Sequence, residues 1–487
     1  MFGFICIKIL DEVIMLFSPF SKRRRLQLRI SERRLLLMAG DVLAVTVSTF
    51  VALYVWSTAA KTAFTLDFII PRSYWFFVLP IFWLVLASAN DFYQLRVAAN
   101  RVQSLQRLGL ITAQMILVYM MVFFLSPRDE LPRLFIFYYG ILSFLLIAVW
   151  RVLNPALVGW ASVARRVLII GTDSSAQKII ETLQTYSAQG YEIRGIISHN
   201  EDIGKTINGV PVIGTGADLM NFVLRDRIAE LVITEIADTD ADIFRAVMQA
   251  YEQGVVLSPM PLLYARLTGR VPVQDVKNQW ATVLPIEGQS LFSPYPALQR
   301  LMDVILALFG MVFFIPLLPI LALIIRLDSA GGIFYTQIRT GLRGKNFRII
   351  KFRTMIQDAE KHTGAVFSTA NDKRITRVGR IFRKTRLDEL PQLINVLRGD
   401  MSIVGPRPER PEHITRLTES IPFYRTRLVI RPGLTGWAQV KYHSGSTDED
   451  ALVKLEYDLY YIRNQSLLLD LNIIIRTVYK VIRLGGM

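Results

Sequence analysis

Four apolar runs constrain this chain more than any other feature. Each comes close to the roughly 20 residues that a helix needs to cross a bilayer. They are Leu35–Trp56, Ile70–Ala89, Leu108–Leu125 and Leu134–Trp150. Pro71 and Pro80 in the second are compatible with a membrane helix whose neighbours satisfy the freed carbonyls. Trp56, Trp75, Trp83 and Trp150 lie near run ends, where interfacial aromatics belong. Seven basic residues between Lys22 and Arg34 precede the first run, and Arg96, Arg101 and Arg107 separate the second from the third. The positive-inside rule therefore places both ends of this unit in the cytoplasm. The Lys22–Arg25 block reads as a topology determinant, with anionic lipid as its other partner. The apolar patch before Ser18 is too broken for a signal peptide. Residues 1–34 are expected as a basic cytoplasmic segment and 35–151 as four transmembrane helices of an inner-membrane protein.

Of the 487 residues, 52% are hydrophobic and 20% charged, which excludes a disordered chain and argues against a wholly soluble globule. The net charge of +16 suits an anionic partner: lipid, nucleic acid or a phosphorylated substrate. A single cysteine, Cys6, excludes an intrachain disulfide, and the four histidines show no zinc spacing.

Residues 152–290 change pattern. Short β-branched runs (Val167–Ile170, Ile193–Ile197, Leu231–Thr234, Val255–Ser258) alternate with helical patterns near Ser174–Tyr186, Ala217–Arg225 and Asp240–Gln253. This alternation predicts a parallel, Rossmann-like α/β domain. It is degenerate: the first turn, Gly171-Thr172-Asp173-Ser174, has lost a glycine that lets backbone approach a pyrophosphate. The second strand ends in Ser198-His199-Asn200, with no acidic residue placed for a ribose. A structural or dimerising domain fits better than a nucleotide sensor, and Asp238-Thr239-Asp240 reads as a helix cap.

Residues 291–487 carry the chemistry. A fifth apolar run, Val304–Ile325, is interrupted by Pro316 and Pro319. From 300 onward, 29 Lys plus Arg face 17 Asp plus Glu, a balance expected of cytoplasmic sequence. A helix–break–helix hairpin that enters and leaves by one face reconciles the two observations. Beyond it, Phe334–Gly341 and Phe347–Met355 alternate as strands presenting Arg339, Lys351 and Arg353. Leu387, Leu390, Ile394 and Leu397 recur at helical spacing as a buried face, with Asp388, Gln392 and Asn395 in a polar stripe. Pro391 places the helix start near Asp388. Adjacent carboxylates at a helix N-terminus, with Arg383 and Arg386 before them, suit phosphate chemistry. An ionised Asp388 can attack phosphorus while Glu389 helps hold a divalent cation. Gly405-Pro406-Arg407-Pro408 offers a guanidinium on a stiff loop. Near the C-terminus, Leu471, Ile474, Ile475, Val478 and Val481 oppose Arg476, Lys480 and Arg483. Such a helix lies in the headgroup plane or packs on the domain.

Several motifs in order carry a family resemblance: Lys351-Phe352-Arg353-Thr354-Met355, Arg383 to Leu393, Gly399 to Pro408, and Arg431-Pro432-Gly433-Leu434-Thr435-Gly436-Trp437. Residues 298–487 resemble the catalytic domain of bacterial polyprenyl-phosphate hexose-1-phosphate transferases, the monotopic phosphoglycosyl transferases. The upstream architecture resembles the long subgroup, which primes exopolysaccharide, capsule or O-antigen synthesis. The resemblance implies an α+β catalytic domain with a re-entrant helix over 304–325, broken at Pro316. It implies attack by Asp388 on the β-phosphorus of a UDP-hexose, release of UMP, and transfer of the phosphosugar to undecaprenyl phosphate. Glu389, with Asp388 beside it, would bind Mg2+, and Lys351, Arg353, Arg383 and Arg407 would bind phosphate. The implied place is the cytoplasmic face of the bacterial inner (plasma) membrane, with the lipid bilayer itself a partner. The central domain is a candidate for homodimer formation.

Two rivals stand beside this reading. A sugar-transferring glycosyltransferase would release UDP, and no Trp here follows an Arg as in Q-x-x-R-W. A non-catalytic membrane scaffold for polysaccharide export leaves Asp388-Glu389 with capping alone. Nucleic acid is disfavoured, since the basic residues adjoin membrane segments and form no reader motif.

Overall fold

The computed structural model describes residues 30–59, 61–93, 97–98, 100–125, 135–158, 164–185, 190–234, 241–275, 293–357, 372, 374–443, 445 and 447–482. The first apolar run lies in α1 (Ile30–Ala59). The second is divided: a turn at Leu66–Ile69 and a 3-10 turn at Ile70–Arg72 precede α2 (Trp75–Ala89), with a 40° bend between them. Pro71 opens the 3-10 turn, where no helix hydrogen bond is lost, and Pro80 lies inside α2. The third and fourth runs fall in α3 (Arg101–Leu125) and α4 (Phe135–Val158). Helices α1 and α4 are each long and apolar enough to cross a membrane, and the bent pair ending in α2 is too if counted as one span. Inside this bundle, Arg151 Nη2 of α4 meets Asp41 Oδ2 of α1 at 2.7 Å, both side chains buried, with the guanidinium 3.9 Å from the Phe92 ring centroid.

The central domain follows as β1 (Arg165–Ile170), α5 (Ser174–Thr185), β2 (Tyr191–Ile197), β3 (Thr206–Ile207), β4 (Val210–Gly214), α6 (Gly216–Asp226), β5 (Glu230–Ile233), α7 (Ala241–Glu252), β6 (Val256–Pro259) and α8 (Met260–Thr268). The sheet order is β3-β4-β2-β1-β5-β6, parallel except for β3. All four expected strands are present within two residues. The β3–β4 hairpin is an addition, and its signal was Asn208-Gly209, both at positive φ as a two-residue hairpin turn requires. An acidic residue does reach the first turn: Asp202 Oδ2 accepts from Thr172 Oγ1 (3.1 Å) and Ser198 Oγ (2.9 Å). The expected cap at 238–240 lies outside the described residues.

The third unit opens with α9 (Tyr295–Asp328), 34 residues or about 51 Å at 1.5 Å per residue. It is long and apolar enough to cross a membrane, and Pro316 and Pro319 both lie inside one helical element rather than dividing it in two. Its start and end are tied to the same domain. Arg300 donates to the Val396 and Leu397 carbonyls, Asp303 accepts from Ser402 Oγ and Ile403 N, and Asp328 accepts from Val378 N. Leu308, Phe309, Val312, Phe313, Ile320 and Leu323 remain exposed along it.

Then come β7 (Phe334–Thr340) and β8 (Asn346–Phe352), an antiparallel pair, α10 (Arg377–Thr385), a 3-10 turn (Leu387–Gln392), α11 (Leu393–Arg398) and β9 (Ser402–Val404). The chain closes with α12 (Pro411–Ser420), β10 (Gly433–Thr435), α13 (Trp437–Lys441), α14 (Asp448–Arg463) and α15 (Leu467–Ile482). Helix α15 is packed rather than free for headgroups: Arg476 pairs with Asp91 beyond α2, and Lys480 donates to the Gln439 carbonyl at 2.9 Å. Arg483 lies outside the described residues.

Candidate active site

The acidic pair sits where the chain reverses between α10 and α11. Arg386 ends α10 with φ +58°, a left-handed backbone uncommon for a side chain this large and a form of local strain often found at functional sites. It is followed by the 3-10 turn that carries Asp388 and Glu389. The burial differs from the expected pattern. Leu387, Leu390, Ile394 and Leu397 are only half-buried, while Asp388, Glu389, Gln392 and Asn395 are buried. The polar stripe faces inward, and of its three residues Asn395 has its partners in the protein, while Gln392 Nε2 has none among the described residues. Asn395 joins the turn to β8, accepting from Ile350 N (3.1 Å) and donating to the Arg348 carbonyl (2.8 Å).

Glu389 is held by three cations. Its Oε1 lies 2.7 Å from Arg407 Nη2 and 3.1 Å from Lys351 Nζ, and its Oε2 lies 3.3 Å from Arg386 Nη1. Burial alone would raise its pKa, but Arg407, Lys351 and Arg386 outweigh burial and hold the carboxyl well below its usual range. Asp388 is the opposite case. Among the described residues, no hydrogen bond or ion pair reaches its carboxylate. Burial, then the Glu389 charge beside it, pushes it up to about 6. Burial also lowers Lys351, whereas Glu389 raises Arg407. Arg407 keeps 41% of its side chain exposed, so it stands at the mouth of the site.

Two further arginines were expected here. Arg383 is nearby, bonded through Nε to Thr354 Oγ1 at 2.9 Å, and its charge is felt by Asp388. Arg353 is elsewhere. It lies just past the end of β8, and its guanidinium donates to the carbonyls of Ala330 (2.6 Å) and Ser329 (2.6 Å) at the C-terminus of α9. Buried cations commonly satisfy helix-end carbonyls in this way, and the arrangement leaves Arg353 a structural anchor rather than a phosphate ligand. The expected break residue, Pro316, lies within α9, away from the acidic turn in sequence.

The motif around Arg431–Trp437 holds Arg407. Strands β9 and β10 pair in parallel, Ser402 with Gly433 and Val404 with Thr435. A Cβ on Gly433 would fall 2.1 Å from Gly405 N, so only glycine allows the two backbones to meet. Gly433 N then donates to the Pro406 carbonyl at 2.8 Å. Sequence reasoning missed Arg427 and Asp458, a buried pair at 2.8 Å behind this loop. They lie 31 residues apart, and no periodicity connects them.

Among the described residues, no group of three or more His, Cys, Asp or Glu is arranged for a metal ion. Mg2+ commonly takes one or two carboxylates and completes its shell with water and substrate phosphate, and Asp388 and Glu389 are the residues that would hold it here. Asp388 is uncommitted, and Glu389 would share its oxygens with the cations. The site thus joins a buried carboxylate uncommitted among the described residues, a second carboxylate held negative, and three cations gathered around it.

Comparison with known proteins agrees with this geometry. The bacterial sugar transferase family matches residues 295–484, and a CoA-binding domain family matches residues 88–261. The chain is 43% identical over 218 residues to a UDP-N-acetylgalactosamine-undecaprenyl-phosphate N-acetylgalactosaminephosphotransferase of Aeromonas hydrophila, covering 44% of this chain and 50% of that protein. It is 32% identical over 331 residues to a UDP-glucose:undecaprenyl-phosphate glucose-1-phosphate transferase of Xanthomonas campestris pv. campestris, covering 65% of this chain and 66% of the relative. A protein of the same description from Escherichia coli (strain K12) is 32% identical over 320 residues, covering 65% of this chain and 67% of the other. The chain therefore spans between half and two thirds of the length of these relatives. With both the site geometry and these matches in hand, the chain belongs to the bacterial sugar transferase family.

Proposed function

We propose that this protein transfers hexose 1-phosphate from a UDP-hexose to undecaprenyl phosphate on the cytoplasmic face of the bacterial inner membrane. The observation that carries this reading is the asymmetry of the acidic pair: Glu389 is tied to three cations, and Asp388 beside it is free. A buried carboxylate without a partner is costly, the cost shows in its raised pKa, and such perturbed groups concentrate at functional sites, where attack on phosphorus is one use.

In the first step an Asp388 oxygen bonds to the β-phosphorus. The bond from that phosphorus to the bridging oxygen breaks, and UMP leaves with the electron pair. The enzyme then holds hexose 1-phosphate as an acyl phosphate. In the second step a phosphate oxygen of undecaprenyl phosphate attacks the same phosphorus. Asp388 departs as carboxylate, and the product is a diphosphate-linked lipid sugar. Lys351 and Arg407 hold phosphate oxygens, with Arg383 on the other flank. Mg2+ held by Glu389 and Asp388 would neutralise part of the diphosphate charge.

The acceptor is a lipid, so the site belongs at the bilayer surface. Helix α9 supports a re-entrant placement: both its ends bond to the same domain, while its apolar face stays exposed between them. Helices α1–α4 form a multi-pass unit with cytoplasmic ends. Supplied with UDP-glucose, UDP-galactose or UDP-N-acetylgalactosamine, undecaprenyl phosphate and Mg2+, the protein is expected to release UMP from at least one donor, and Asp388→Asn none. UDP as the product would make it a glycosyltransferase. No nucleotide from any donor would favour the scaffold, and full UMP release by Asp388→Asn would remove Asp388 as the nucleophile.

A further inference from the structure

Arg407 can meet Glu389 only if its loop is held, and the grip behind that loop reaches into another domain. Arg427 is 5% exposed; its guanidinium makes three hydrogen bonds and also lies 3.8 Å from Glu409 Oε1. Nη2 donates to the Arg407 carbonyl at 3.1 Å and to Asp458 Oδ2 at 2.8 Å, while Nη1 donates to Tyr424 OH at 2.7 Å. Asp458 belongs to α14. Two residues earlier on α14 stands Glu456, about 200° around the helix and so on the other face. Glu456 is also buried. It accepts from Arg270 Nε at 2.8 Å, lies 3.8 Å from Lys178 Nζ, and its backbone carbonyl accepts from Val271 N at 3.0 Å. Lys178 is on α5, the helix that follows the first turn of the Rossmann-like sheet, and it pairs with Asp275 at 2.6 Å.

We propose that Arg427 and Asp458 are positioning residues for Arg407, and that α14 ties them through Glu456 to the Rossmann-like domain. That domain thereby helps set the phosphate-binding loop. Through one nitrogen, Nη2, the planar guanidinium links the Arg407 carbonyl to Asp458, and burial on both faces of α14 leaves the helix little freedom to yield. The proposal rests on the phosphotransfer reading for its kinetic arm alone.

The test replaces the buried pair together, as Arg427→Met with Asp458→Leu, because an apolar pair of similar volume leaves neither of the two stranded, and Glu409 keeps Arg339 at 3.8 Å. A second variant, Arg427→Lys, keeps the charge but loses the fork. A third, Arg270→Gln with Glu456→Gln, cuts the link to the Rossmann-like domain. Two readouts are taken: KM and kcat for UDP-sugar, and the rate at which phenylglyoxal labels Arg407, mapped by peptide mass spectrometry. In the folded variants KM is expected to rise about tenfold with a smaller change in kcat. Labelling of Arg407 quickens, and the third variant shows the same changes in weaker form. In an Arg407→Gln background the replacements add nothing further, as coupling through one residue requires. Unchanged KM and labelling in a folded variant of the first two kinds would overturn the positioning role. A third variant indistinguishable from wild type would overturn the link between domains. If the wild type releases no nucleotide, the reaction reading fails and the labelling arm still decides this one.

Discussion

The chain brings a carboxylate to each of two turns that lead into a helix, and it treats the two in opposite ways. In the Rossmann-like domain, Asp202, in the 3-10 turn after β2, reaches across to the first turn. It accepts from the Thr172 and Ser198 hydroxyls and pairs with Lys205 at 2.6 Å. That turn is satisfied by neutral donors and one surface lysine. In the catalytic domain, Glu389 is buried under three cations and leaves Asp388 unclaimed. The contrast shows that fold alone does not assign a site. The regular six-stranded sheet carries the quieter turn, and the domain with only two-stranded sheets carries the charge.

The comparison breaks most visibly at Glu389. Glu389→Gln leaves Lys351, Arg386 and Arg407 without their shared anion, and turnover should fall at least about 10²-fold, the order seen when one electrostatic element of a site is removed. Steady-state UMP release measures it, and a drop below tenfold would mean that the cations hold their positions unaided. A smaller effect comes from pH. In the proposed reaction Asp388 attacks as the carboxylate, and its pKa is raised to about 6, so the protonated and inactive form would gain as pH falls through that value. Going from pH 7 to pH 5 should lower kcat/KM about tenfold, while a flat profile would remove Asp388 from the rate equation. The smallest effect belongs to the other turn. Asp202→Asn exchanges one acceptor of hydroxyl hydrogen bonds for a weaker one at a partly exposed position, and UMP release should change less than about twofold. A larger loss would give the Rossmann-like turn a role in the reaction that its geometry does not suggest.

What the sequence made legible follows from periodicity and local chemistry. The apolar runs became helices, and the β-branched runs became strands within two residues, because burial of one element against another is written every second or every third and fourth residue. The acidic pair and Arg407 were legible because rigid, short-range motifs surround them. Arg353 was misplaced for a physical reason: its strand alternation points it toward Lys351, but the strand ends at Phe352 and the next residue turns to the end of α9. The face of Leu387, Leu390, Ile394 and Leu397 was misread because a hydrophobic period says which side is apolar, not what the polar side finds opposite it. Arg427 and Asp458 were invisible for a related reason. A single charged residue reads as solvated until its distant partner is known.

The pair between Asp41 and Arg151 bears on how the membrane unit is made. The two residues are 110 apart in the chain, and synthesis delivers the carboxylate long before the guanidinium. A lone acidic side chain inside a membrane helix costs up to about 3 kcal/mol. An α1 without α4 would carry Asp41 uncompensated, so Arg151 ties the first helix of this unit to the last.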